Sequence, residues 1–209
     1  MAAPLIRPAR CQCQRGLAAV ELAILLPFLL FMALMVTDFA RALQAQIVLV
    51  NISREGANLA ARASTYTQPQ IVHALASTSP PLQMPADGMI FITTVMGHFE
   101  NGVVRNVVIG QTRCVAGDCA ATNYAVQSAI WNCGAGGSHW DGNGSCAGIA
   151  SPGPSAPTAP VMSGQLADGE TVYAVECFYR FRMLFGAIDL GHGLRAPQIG
   201  PDLGAMTVL

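Results

Sequence analysis

The stretch RGLAAVELAILLPFLLFMALMV, Arg15 to Val36, is a nearly unbroken apolar run with one acid, Glu21, near its front edge. About twenty such residues cross a hydrocarbon core of roughly 30 Å as an α-helix, which makes Leu17 to Val36 a membrane segment. Ahead of it stand Arg7, Arg10 and Arg15 with no acid among them, so the N-terminus is expected in the cytoplasm and everything after Val36 on the far side. No Gly or Pro interrupts the chain from Phe28 to Glu55. One helix is therefore expected from about Leu17 to Ala63, about 70 Å long at 1.5 Å per residue, of which less than half fits in the bilayer. Pro27 removes an intrahelical hydrogen bond to the Ala23 carbonyl and predicts a local loosening or kink.

The protruding half of that helix carries a polar stripe of Gln44, Asn51, Glu55, Asn58 and Arg62. Phe39, Leu43, Ile47, Val50, Ala57 and Ala61 line one flank, and Ile52 and Leu59 the other. Such a helix needs cover on more than one side, from its own C-terminal domain and from neighbouring helices.

The rest of the composition agrees. Of 209 residues, 52% are apolar and only 11% charged, which is apolar-rich and charge-poor for a soluble domain. The net charge is −1, every basic residue is arginine, and no basic patch with interleaved aromatics occurs, which excludes nucleic acid as a partner.

Beyond Ser64 the pattern changes. Residues 69–79 predict a short helix before Pro80-Pro81, and MIFITTVM (Met89–Met96) with VVRNVVIG (Val103–Gly110) predicts a hairpin around GHFENG. Asn123–Cys133 predicts another short helix, and 134–164 dissolves into Gly, Ser, Ala and Pro, a long flexible loop. In TVYAVECFYRFRM (Thr171–Met183), Tyr173, Val175, Cys177, Tyr179, Phe181 and Met183 alternate with Ala174, Glu176, Phe178, Arg180 and Arg182. That alternation predicts a last strand with one buried face. The fold class is α+β: a long N-terminal transmembrane helix extending into a small antiparallel-sheet ectodomain with a Gly/Pro-rich loop. The chain divides into a cytoplasmic leader 1–16, the helix 17–63 and an exported domain 64–209.

Cys11 and Cys13 stay on the reducing side, whereas Cys114, Cys119, Cys133, Cys146 and Cys177 fall in the exported part, where disulfides persist. Cys114 with Cys119 closes a tight loop and Cys133 with Cys146 staples the base of the Gly-rich segment, one set of pairings among several. Cys177, on a buried strand face, packs as a small hydrophobe. No metal or cofactor is expected: two-residue Cys spacings are missing, and in DGNGSC (Asp141–Cys146) the calcium-loop Gly position is Cys146 and the twelfth position is Pro152. The four histidines are scattered and no nucleophile elbow or phosphate loop occurs, so the chain is read as non-enzymatic. Trp131 and Trp140 flank the Gly-rich segment and are read as loop anchors before adhesive side chains.

A central carboxylate in a membrane helix costs roughly 2.5–3.5 kcal/mol on insertion scales. Glu21 has a use that offsets this. If the chain is cut between Gly16 and Leu17, the new ammonium on Leu17 lies about 6 Å along the helix from Glu21, within reach of a carboxylate of the same or the next subunit. A paired charge in a low-dielectric setting is penalised much less than an isolated one.

These residues together resemble type IV pilins and pseudopilins. Arg15 to Ala63 is similar to TadE-like proteins of the Tad (Flp) tight-adherence pilus, in Gly-Leu-Ala-Ala-Val-Glu, Pro27, the Asp38-Phe39-Ala40-Arg41 exit and Arg54-Glu55-Gly56-Ala57. The strand VYAVECFYRF is like the closing strands of such pseudopilins. The resemblance implies cleavage by a prepilin peptidase after Gly16, with Gly16, Leu17 and Glu21 in the family's roles. It also implies a single-pass inner-membrane subunit with a periplasmic C-terminal domain, and partners among other pilin and pseudopilin subunits and the pilus assembly platform. The role the resemblance implies is a minor one, building or capping an adhesive fibre that the subunit itself enters or supports from below. The chain lacks the von Willebrand-type domain of larger TadG-like relatives and is longer than the major pilin. The rival readings are a membrane-anchored periplasmic ligand-binding or adhesive protein without an assembly role, an anchored hydrolase, and a secreted protein starting at Leu43 or Gln46 after removal of an ordinary signal peptide.

Overall fold

A computed structural model describes residues 15–62, 66–114, 124, 126–184 and 202–209. Helix α1 (Arg15–Arg62) runs 48 residues and continues through Pro27. It is followed by α2 (Gln68–Ser77), the single turn α3 (Met84–Asp87), β1 (Gly88–Glu100), β2 (Val103–Arg113), a short ribbon of β3 (His139–Trp140) and β4 (Cys146–Ala147), then β5 (Thr171–Arg180) and β6 (Asp202–Val208). The main sheet is antiparallel in the order β2-β1-β5-β6. The architecture is α+β, with α1 long and apolar enough to cross a membrane.

The hairpin is longer than GHFENG suggested. His98, Phe99 and Glu100 all pair, and the turn is Asn101-Gly102 alone, with φ of 51° and 85°. Both central residues are left-handed, as in the two-residue turns whose twist matches a hairpin. Thr94 pairs with Gly110 and Val95 with Val108, so Ile109 is an extra, unopposed residue that bends β2.

Two sequence expectations about strands are corrected. Thr171–Arg180 is a central strand, not the last: β6, in a Gly-containing segment that reads weakly as a strand, closes the sheet beside it. β5 is also buried on both faces at its centre. Val175 and Cys177 pack with α1 and α2, whereas Val172 and Ala174 pack with Val95, Val108, Ile130, Ala159 and Leu166 beneath the irregular layer of residues 126–166.

The expected helix over Asn123–Cys133 is absent among its described residues, because side chains take the backbone groups a helix would use. Ser128 Oγ accepts from Ile130 N (3.2 Å) and Trp131 N (3.3 Å), and Asn132 Oδ1 accepts from Ser128 N (2.8 Å). This knot is fastened to the sheet by Glu176, whose carboxylate accepts from Ser128 Oγ and from Ala129 N (2.8 Å). Gln111 adds a second fastening, donating to the Trp131 carbonyl and accepting from Cys133 N (3.1 Å). Glu176 is only 1% exposed, and burial, opposed by these two hydrogen bonds, holds its carboxyl above the usual carboxylate range.

Within 134–164 the chain is mostly irregular but makes the β3–β4 ribbon, the Cys133–Cys146 disulfide, and bridges from Thr158 to Val107 and from Ser145 to Thr112. Asp141 Oδ1 accepts from Asn143 N and Ser145 N at 2.9 and 2.8 Å, so the calcium-like DGNGS is a turn closed by its own aspartate. Trp140 lies 6.4 Å from the Phe91 ring with the Arg113 guanidinium over it at 4.4 Å, an anchoring arrangement.

Candidate assembly surface on the first helix

The length of α1 divides by what touches it. From Val20 to Val36 the large side chains other than the half-buried Leu34 are exposed, including Leu22, Ile24, Phe28 and Leu29 at 58%, 70%, 61% and 59%. The most apolar window of α1 has a mean hydropathy of 2.5, and none of it is buried against the chain. Glu21 sits in this band and makes no hydrogen bond or ion pair among the described residues. Gly16 and Leu17 lie in the helical backbone one turn before it, and the leader 1–14 lies outside the described residues.

At Asp38 the helix meets the ectodomain. Asp38, 3% exposed, accepts from the Leu184 backbone N at 3.0 Å and from Arg41 at 3.2 Å. The Arg41 guanidinium in turn lies over the Phe181 ring at 5.5 Å. From there Ala45, Leu49, Ile52, Ser53, Gly56, Ala57 and Ala60 form the buried face, spaced by threes and fours. This differs from the wheel expected from sequence, which placed Ala57 on the flank of Phe39, Leu43 and Ile47 and passed over the small residues. Small residues are what close packing requires: a Cβ on Gly56 would sit 2.7 Å from Leu75 Cδ1 and 3.1 Å from Val175 Cγ1. Ser53 Oγ pairs with Thr207 Oγ1 (2.9 Å), and Gln46 donates to the Gly204 carbonyl (2.9 Å), tying α1 to β6.

The opposite side remains bare. Phe39, Leu43 and Ile47, at i, i+4 and i+8, are 66%, 50% and 61% exposed and extend the apolar band above Val36. The polar residues Gln44, Asn51, Glu55, Asn58 and Arg62 are exposed beside them.

Of the cysteines, Cys133 and Cys146 form a disulfide. Cys114 is disulfide-bonded, and Cys119, its nominated partner, lies outside the described residues. Cys177 is a buried free thiol whose pKa is pushed up by burial and by Glu176. Among the described residues no group of three or more His, Cys, Asp or Glu is placed to hold a metal ion.

The geometry defines a class, a globular head rigidly joined to a single apolar helix with a bare stripe above it. Residues 16–58 match the family model of TadE-like proteins, so this segment is TadE-like. The match ends within α1, and no curated protein and no solved structure matches the chain.

Proposed function

We propose that the chain is a minor pilin or pseudopilin of a Tad-type pilus. In this reading α1 crosses the inner membrane once with its N-terminus cytoplasmic, prepilin peptidase cuts after Gly16, and the head faces the periplasm or the fibre. The role is non-enzymatic, its partners being other pilin-like subunits and the assembly platform. The observation that carries it is the division of α1: a TadE-like segment whose leading half exposes a band of large apolar side chains with Glu21, which has no partner among the described residues, in its midst, and whose trailing half leaves Phe39, Leu43 and Ile47 bare. A helix used only as an anchor has no need of exposed apolar residues above the bilayer.

Removal of residues up to Ala42 or Ala45 as a signal peptide fits poorly, since Asp38 and Arg41 are built into the head through Leu184 and Phe181. The mature N-terminus, read by mass spectrometry on the chain extracted from membranes, tests the proposal. Leu17 is the expected first residue. An intact leader supports the anchored-protein reading, and a start at Leu43 or Gln46 the secreted one.

A further inference from the structure

A cavity of about 340 Å³ lies between α1 (Arg41, Gln44, Ala45), the segment before α3 (Pro81, Leu82, Gln83), Asp87, and the end of β5 with the residues after it (Tyr179, Phe181, Arg182). This is at the lower end of the roughly 300–1,000 Å³ of small-ligand clefts. Its height along α1 is set by the helix. If Leu17 to Val36 fill the hydrocarbon core, Arg41 lies about 7 Å beyond the core's edge, within the headgroup layer of roughly 5–8 Å per leaflet. Arg182 lines the same cavity and shares that level, and Leu184, 47% exposed, hangs beside it with its N–H on Asp38.

The two guanidiniums are fixed without being used up. Arg41 gives Asp38 one N–H, and Arg182 gives Asp87 its Nε and one terminal N–H. An arginine has five such donors, and both side chains stay substantially exposed, at 44% and 64%. With each arginine paired to one carboxylate the site has little net charge, which suits a singly charged phosphodiester better than a doubly charged phosphate monoester. The Gln44 and Gln83 amides and the Tyr179 hydroxyl supply further polar contacts for the group esterified to it.

We propose that this cavity binds the phosphodiester headgroup of a membrane phospholipid and so fixes the height and tilt of the head on the bilayer. The inference rests on the reading of α1 as membrane-spanning.

The test is native mass spectrometry of the full chain in detergent, equilibrated with equal amounts of phosphatidylglycerol and monogalactosyldiacylglycerol of the same acyl chains. The wild-type chain is expected to retain the phospholipid about tenfold over the galactolipid, the effect of one charge-assisted hydrogen bond. Arg182→Gln is expected to bring the two near parity. Gln44→Glu, at an exposed helix position, is expected to do so by placing a carboxylate in the cavity beside Arg41 while leaving both arginines in place. An unchanged melting temperature shows that the head of each variant is folded. Parity in the wild type, or unaltered preference in folded Gln44→Glu, overturns the proposal. Displacement of the lipid by an equal concentration of soluble glycerophosphoglycerol assigns the site to a free phosphodiester and also overturns it. Chain that resists carbonate extraction from membranes yet shows parity refutes the headgroup site alone, whereas chain released by carbonate refutes the spanning reading with it.

Discussion

Replacing Leu43 and Ile47 together by glutamine separates the two faces of α1. Both are exposed, at 50% and 61%, so the head loses little of its own packing and its melting temperature is expected to stay within a degree or two of wild type. An interface with another helix is different. Full burial of a leucine or isoleucine side chain is worth about 1.5–3 kcal/mol, and the half or more of each that remains open in the isolated chain is what a neighbour would cover. The double substitution then removes about 2–3 kcal/mol per contact, a 30- to 160-fold loss in association. The assay is recovery of other pilin-like subunits with the tagged chain from solubilised membranes, alongside the yield of fibres sheared from cells. Wild-type recovery and wild-type fibre yield in the double variant refute the assignment of this stripe as an assembly surface. A collapse of the melting temperature would show instead that the stripe belongs to the head.

Glu21→Ala is expected to leave membrane insertion intact and lower fibre assembly, and unchanged piliation by electron microscopy counts against a pairing of this acid with the Leu17 amine. Gly56→Val places methyls where a Cβ already lies 2.7 Å from Leu75 Cδ1, and overpacking of this kind costs about 1–3 kcal/mol, a fall of roughly 2–12 °C in melting temperature at this chain length. Gly56→Ala suffers less, because the gain of about 1 kcal/mol in helix propensity offsets part of the clash. Glu176 gives a pH signature: its folded pKa is raised, so the folded head holds a proton that the unfolded chain releases. Stability is fully present below the ordinary glutamate value of about 4.3 and declines as pH rises from there through the raised folded value. Thermal melts across this range should show that decline in wild type and a flatter profile in Glu176→Gln; identical profiles would contradict the burial argument.

How much of this was legible in the sequence depended on the period of the signal. The apolar run from Leu17, the uninterrupted helix behind it and the β-branched hairpin rest on local pattern, and the structure has all three. β6 was hidden because DLGAMTV alternates weakly and takes its order from β5, a partner some thirty residues earlier. The helix expected near Ser128 failed for a related reason: that segment's conformation is decided by Glu176, 48 residues away, which no window around Ser128 contains. On α1 the wheel marked Ile52 and Ala57, which are buried, but passed over Leu49 and the small Ala45, Ser53, Gly56 and Ala60, because close approach selects small residues that a hydrophobicity wheel does not weight, while Phe39, Leu43 and Ile47 are left outside.

That exposure bears on function. A solitary amphipathic helix docks its largest apolar side chains into its own domain and leaves small or polar residues to water. Here α1 packs on its own domain with Leu49 and Ile52 set among small residues, close enough at Gly56 that a Cβ would meet Leu75 and Val175, and still leaves Phe39, Leu43 and Ile47 open on the other side. The bare stripe joins the apolar band without a break from Val36 through Phe39 and Leu43 to Ile47, so one continuous surface runs from the most apolar part of α1 to well beyond it. With α1 spanning the bilayer as proposed, lipid covers the lower part of that surface but not the upper. In water, three large apolar side chains in a row on a rigid helix favour any partner that removes them from solvent. A partner helix rising from the same bilayer covers both parts at once, which a soluble ligand of the head cannot do.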